Sequence, residues 1–145
     1  MTAQAKAEQK IRDAITRYAL AVRTKNLDLV SSLFADDIIA FDAIIALQFK
    51  GKAAYTEHWK ICMGFAFGTP LYEVHQLQVQ VDGQLAFSHS VNQCGCENEQ
   101  GEMQSSWMRS TQCWRQFGDD WKIVHEHFSA PFNVENGQAL FDLKP

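Results

Sequence analysis

Along the first part of the chain, apolar residues recur at helical spacing. Ile11, Ile15, Tyr18 and Val22 fall four, three and four positions apart, which puts them on one stripe of a helix. The pattern predicts an amphipathic helix over residues 5–24. Asn26 is a candidate N-cap, because its short side chain can accept a hydrogen bond from a free N–H of the following turn. The short second helix it opens would bury Leu29, Val30, Leu33 and Phe34 and end at Asp36-Asp37. Ile38 to Asp42 reads as a strand, and residues 43–50 as a loop or a short second strand. A third helix is predicted over residues 52–66, with Tyr55, Trp59, Cys62 and Met63 on one side and Gly68-Thr69-Pro70 as its stop.

The period then drops to two, the signature of strands. Over residues 71–82, Val74, Gln76, Gln78 and Gln80 share one face, and His75, Leu77, Val79 and Val81 the other. Asp82-Gly83 is a hairpin signal. Strands over residues 84–96 and 102–117 follow, and Gly118-Asp119-Asp120 turns the chain into a last strand from Trp121 to Ser129. Strict alternation places Trp121, Ile123, His125, His127 and Ser129 on one face, and Lys122, Val124, Glu126 and Phe128 on the other. The first set runs from apolar to polar, as expected of a strand that leaves a core and enters the polar end of a pocket. Strands joined by short turns make an antiparallel meander. Helices that precede it pack on one of its faces, so the fold class is α+β. No repeat or linker divides residues 1–145, which are read as one domain with an irregular tail from 131.

Composition narrows the function classes. The net charge is -4 and no basic cluster occurs, which argues against nucleic acid as a partner. No apolar run approaches the ~20 residues of a membrane span, and the first residues lack the apolar stretch of a signal peptide. A cytoplasmic location is expected. The four cysteines would then be reduced. Cys94 and Cys96 have one residue between them, whereas zinc and thioredoxin motifs have two. They read as strand-end residues, with a redox pair as the alternative.

Several polar residues fall where a pocket would need them. Asp42 shares its strand face with Ile38 and Ala40, and burial of such a carboxylate is one way a general base is tuned. The plain alternative is an exposed strand-end aspartate. Tyr18 lies on the helix stripe, as a pocket donor or a core tyrosine. Tyr55 and Trp59 read as pocket wall. Arg109 shares a face with Trp107 and Thr111; turned inward it would hold an anionic group or Asp42, turned outward it would sit on the rim. His125 and His127 could both reach one metal ion. A zinc site wants at least three protein ligands, and His58, His75 and His89 are scattered, so no metal is expected. His127 is instead expected to be a hydrogen-bond donor or general acid. His125 and His89 are candidate lining residues.

The order of elements, together with Arg17-Tyr18, Ala35-Asp36-Asp37 with Asp42, and the ending Gly-Asp-Asp-Trp-Lys-Ile-Val-His-Glu-His-Phe-Ser at 118–129, resembles the nuclear transport factor 2-like cone fold. It is similar in particular to its SnoaL-like and ketosteroid-isomerase-like members, and also to the association domain of the calmodulin-dependent kinase. The resemblance implies three helices on a curved, mainly antiparallel sheet. In the isomerases a first-helix tyrosine hydrogen-bonds the developing enolate and an aspartate at the end of the first strand moves the proton. Tyr18 and Asp42 stand at the matching positions. This chain departs from the isomerases in having no acid in the middle of the 102–117 strand and no proline after Asp42, so steroid isomerisation itself is not expected.

The resulting expectation is a cofactor-independent isomerase, cyclase or dehydratase acting on a small apolar carbonyl compound. Asp42 would be the base, Tyr18 and His127 the donors, and Arg109 the anchor. The alternative is a non-catalytic ligand-binding or assembly module. A homodimer is expected as well. The helices cover one sheet face only, and alternation leaves Met108, Trp114, Val124 and Phe128 on the other, where a two-fold dimer would cover them.

Overall fold

The computed structural model describes residues 1–145. Helix α1 spans Ala3–Arg23 and buries Ile11, Ala14, Ile15, Tyr18 and Val22. Thr2 caps it, accepting a hydrogen bond from Ala5 N at 3.1 Å. Asn26 caps α2 (Leu27–Ser32) in the same way, accepting from Leu29 N at 3.0 Å. This helix is shorter than its apolar pattern suggests. Leu33 is already the C-cap and Phe34 opens β1 (Phe34–Phe41), so Asp36 and Asp37 lie in a strand instead of ending a helix. After β2 (Phe49–Lys50), Gly51 starts α3 (Lys52–Phe65) with a φ of +92°, a conformation glycine adopts without the steric cost of a Cβ. The meander follows as β3 (Phe67–Asp82), β4 (Leu85–Glu97), β5 (Met103–Phe117) and β6 (Asp120–Ser129). Gly68 to Pro70, expected as the stop of α3, fall inside β3.

The six strands form one curved sheet in the order β2-β1-β6-β5-β4-β3. The long strands pair antiparallel, as the short turns require. β1, however, pairs parallel to β6 and antiparallel to β2, so the sheet is mixed. α1 lies over β3 and β6, and α3 against β1. The fold is α+β.

Two bulges decide which side chains face the helices. In β6, Ile123 pairs with Trp114 and His125 with Cys113, which leaves Val124 as an extra residue. A one-residue bulge reverses the alternation beyond it. Trp121 and Ile123 are buried before it, and Glu126 and Phe128 after it. In β3, His75 pairs with Val91 and Gln78 with His89, and Gln76 has a φ of +54°. Val74 therefore packs on the core before this bulge, and Leu77, Val79 and Val81 pack on it afterwards. The even-numbered residues of β5 also face inward. Trp114 and Phe128, assigned by alternation to the outer face, are 0% and 5% exposed, and Met108 packs against the same core.

β4 and β5 pass closely at Gly95, which pairs with Ser105. A Cβ there would overlap the Gln104 carbonyl oxygen and sit 2.8 Å from Ser105 Cα. Both are backbone atoms, so no rotamer change relieves the clash. Gly95→Ala is expected to lower stability by about 1–3 kcal/mol, measured as a drop in the urea midpoint. An unchanged midpoint would mean the two strands part freely here.

Candidate functional site

Two polar clusters sit under the helices. The deeper one is centred on Glu126, which is 0% exposed. Tyr18 and Tyr55 both donate to its Oε2, at 2.8 and 2.5 Å, and Gln112 Nε2 donates to Oε1 at 2.8 Å. The chain of bonds continues outward from Gln112. Ser88 Oγ donates to Gln112 Oε1 at 3.2 Å, and Trp114 Nε1 donates to Ser88 Oγ at 2.9 Å. Every member is buried, and the network crosses α1, α3, β4, β5 and β6. Burial pushes the Glu126 carboxyl up to about 7, against three donors that pull it down. Burial, and then the Glu126 charge, raise Tyr18 and Tyr55 well above the ordinary phenol range.

The second cluster lies at an open cavity of about 330 Å³. Its wall is mostly apolar: Trp59 and Met63 of α3, Ala66 just after that helix, Pro70 to Tyr72 of β3, Met108 of β5 and Phe128 of β6. Asp42, at the end of β1, is its one charged lining residue, and Cys62, Cys94 and Cys96 bring sulfur to the same space. Asp42 Oδ1 accepts from Ala43 N at 2.8 Å, while Oδ2 makes a short contact with His58 Nε2. The His58 side chain is 2% exposed and that of Asp42 16%, so the carboxylate meets the cavity and the imidazole backs it. Phe49 stacks on the His58 ring at 4.1 Å and fixes its plane. One turn further along α3, Cys62 Sγ lies 3.7 Å from the same Nε2. Burial, and then the Asp42 charge, push the Cys62 thiol up to about 11 and the Cys94 thiol up to about 12. Both are therefore neutral and poor nucleophiles at neutral pH. The Trp59 indole N–H is buried beside the Tyr55 hydroxyl without reaching hydrogen-bond geometry. A wider groove of about 450 Å³ lies between α1 and the β3–β4 turn, lined by Lys6, Lys10 and Asp82 among others, far from this chemistry.

Asp42 and Trp59 line the cavity, in keeping with their expected faces. Tyr18 and Tyr55 do not: both hydroxyls are spent on Glu126. The tyrosine on the cavity wall is Tyr72. His127 and His125, expected inside, lie on the outer side of the sheet because the Val124 bulge reverses their faces. His127 is exposed, and His125 Nδ1 is held by the Ile39 carbonyl oxygen at 2.7 Å. Arg109 is exposed and donates to Ser129 Oγ at 3.1 Å, so it anchors nothing in the cavity. Trp107 packs outside against His75 at 5.0 Å, and His89 lies outside beside Phe87. Neither His58 nor Glu126 was anticipated. His58 had a usable signal, since it stands three residues after Tyr55 and four before Cys62 on one helix face. Glu126 had none, because a bulge leaves no clear mark in the alternation.

No curated protein matches this chain. Among solved structures, a nuclear transport factor 2-like protein of unknown function from Pseudomonas putida KT2440 is 48% identical, with 97% of this chain and 98% of that one covered and a TM-score of 0.90. A nuclear transport factor 2-like superfamily protein from Salmonella enterica is 21% identical over 95% of this chain and 100% of that one, with a TM-score of 0.80. A protein from Streptomyces avermitilis, named as a candidate dehydratase of the same family, is 15% identical over 86% and 97%, with a TM-score of 0.75. These last two likenesses show the fold alone. The model of the SnoaL-like domain matches residues 11–133, most of the chain. With that span, the α1–Arg17-Tyr18 landmark and the β1-to-β6 sheet all inside it, the chain belongs to the SnoaL-like domain family of the nuclear transport factor 2-like superfamily.

Proposed function

We propose that the cavity binds a small, largely apolar carbonyl compound and that Asp42, held by His58, moves a proton on it without a cofactor. The observation that carries this is one carboxylate at the edge of an apolar cavity, tied to a buried imidazole. Apolar walls with few polar groups are the usual make-up of a small-molecule site. A base of this kind would take a proton from the carbon next to the carbonyl. Its return to a second carbon is isomerisation; loss of a β-hydroxyl instead is dehydration. Tyr72 takes the hydrogen-bonding role that the resemblance implied for Tyr18, since it is the tyrosine of the cavity wall. The name of the Streptomyces avermitilis relative fits this reaction class. The test is a thermal-shift screen of small cyclic and aromatic ketones, followed by exchange in heavy water of the α-protons of each hit. Exchange above the buffer rate supports the reading. Hits that bind without exchange overturn it in favour of a non-catalytic binding module, which the capture of the Tyr18 hydroxyl by Glu126 also favours.

The dimer belongs to the same reading, on a corrected set of residues. The outer sheet face carries Phe87, 47% exposed, and Phe41, 36% exposed, with Val91 and Trp107 half-buried between exposed histidines. Stacking two such faces about a two-fold axis would cover them. One relative, from Xanthomonas campestris, is named as a candidate association domain. Light scattering at micromolar concentration is expected to give twice the 16.5 kDa chain mass, and Phe87→Glu with Trp107→Glu to give the monomer. A dimer that survives both changes would place the interface elsewhere.

A further inference from the structure

We propose that Asp42, His58 and Cys62 form a binding site for one borderline divalent cation of the zinc class. Their ligand atoms all lie within 4.8 Å of one another. His58 and Cys62 are four residues apart on α3, so the helix presents them together. Asp42 reaches them from the end of β1.

The geometry separates this reading from a thiol–imidazole–carboxylate relay. A relay needs the carboxylate on one ring nitrogen and the thiol on the other. Here Asp42 Oδ2 meets Nε2, and Cys62 Sγ is also nearer to Nε2, at 3.7 Å, than to Nδ1, at 4.0 Å. Three unlike donor atoms therefore lie together, with Sγ beside the ring and nearly equidistant from its two nitrogens. Tetrahedral zinc bonds of ~2.0–2.3 Å put sulfur about 3.5 Å from the ligating nitrogen and roughly 5 Å from the other ring nitrogen; the distances found are 3.7 and 4.0 Å. Cys62 Sγ must turn off the ring about χ1, and the Asp42 oxygen must move away from Nε2 by on the order of 1 Å to reach tetrahedral spacing. It is the more exposed partner and stands at the open edge of the cavity. The donor set discriminates as well. Magnesium and calcium want oxygen throughout, whereas a mixed oxygen, nitrogen and sulfur set suits zinc or cobalt. Three protein ligands leave the fourth position open to the cavity.

This inference goes beyond the acid–base reading and does not rest on it. An ion that takes the Asp42 oxygen removes the free base, so the two uses alternate at one place. The experiment is a cobalt(II) titration of the full chain, reduced and stripped with chelator, followed by absorbance. One equivalent is expected to raise a near-ultraviolet sulfur-to-cobalt band and the intense visible bands of a four-coordinate ion, and zinc is expected to abolish both. Cys62→Ser, nearly isosteric, should lose the near-ultraviolet band. His58→Gln should weaken cobalt more than the ~10–100-fold that loss of an outer-shell partner costs. Cys94→Ser with Cys96→Ser should leave both bands, with circular dichroism confirming the fold of each variant. No bands, bands that survive Cys62→Ser, or bands lost in the Cys94/Cys96 double variant would overturn the site. Absent bands with α-proton exchange intact would sink the metal site alone. Bands on loading, with no exchange by the metal-free protein, would sink the acid–base reading alone.

Discussion

Asp42→Asn is expected to cut α-proton exchange on a bound ketone by roughly 10²–10⁴-fold, the usual share of a positioned general base. Asparagine keeps the size of the side chain and can still accept from Ala43 N, the bond that sets the Asp42 rotamer. What it loses is the second carboxylate oxygen, the one that meets His58. Ligand affinity, read from the thermal shift, should therefore change little while the rate collapses. That split marks a group acting mainly in the transition state. His58→Gln should lower the rate by a smaller factor, because His58 lies behind Asp42 and acts through it. Equal exchange rates in Asp42→Asn and the parent would remove the base assignment outright.

The second large effect concerns stability. The Glu126 carboxyl stands at about 7 in the folded chain against an ordinary 4.5. Between those values the folded protein holds a proton that the unfolded chain releases. Stability contributed by this group is full below pH 4.5 and is lost as pH rises to about 7, for a total of about 3 kcal/mol at ~1.4 kcal/mol per unit. Glu126→Gln should abolish that slope. Its amide oxygen can accept from Tyr18 and Tyr55. Its NH₂ can be met if Gln112 turns its amide over, with Ser88 Oγ as the new acceptor. Urea unfolding of parent and variant side by side should show the parent losing about 3 kcal/mol relative to Glu126→Gln from pH 4.5 to 8. Titrations of all other groups cancel in that difference. Glu126→Ala should behave otherwise, losing at least about 3 kcal/mol at every pH. It leaves three buried donors without an acceptor, at ~1–3 kcal/mol each. A parallel pH profile for parent and Glu126→Gln would show that the carboxyl is not perturbed.

The helices and the meander were legible because periodicity reports element type directly. The α1 stripe, the Asn26 cap and the Asp82-Gly83 turn each follow from local chemistry, and no distant contact overrides them. Asp42 was legible for a related reason. From Ile38 onward β1 alternates without interruption, so counting by twos reaches the right face. The same counting fails in β3 and β6, where one inserted residue reverses every side chain beyond it. His125, His127, Glu126 and Phe128 were all misassigned through the single residue Val124. Trp107, Arg109 and Trp114 were misassigned for another reason: β5 alternates cleanly, but a pattern of period two does not say which of its two faces meets the helices. The Asp42–His58 pair was out of reach for a third reason. Its members are 16 residues apart, and only the docking of α3 against β1 brings them together.

The Val124 bulge also bears on how such a site changes between generations. Beyond it, β6 offers the interior a carboxylate at 126 and an aromatic at 128; the imidazoles at 125 and 127 face out. Straightening the bulge, with Val124 drawn into regular pairing, would present the opposite set while leaving every residue of the strand in place. Removing the Val124 codon would not do so, because His125 would then follow Ile123 directly, keep its pairing with Cys113 and leave Glu126 facing inward. Lineages sharing this sheet thus have access to different interior chemistries through the position of one bulge.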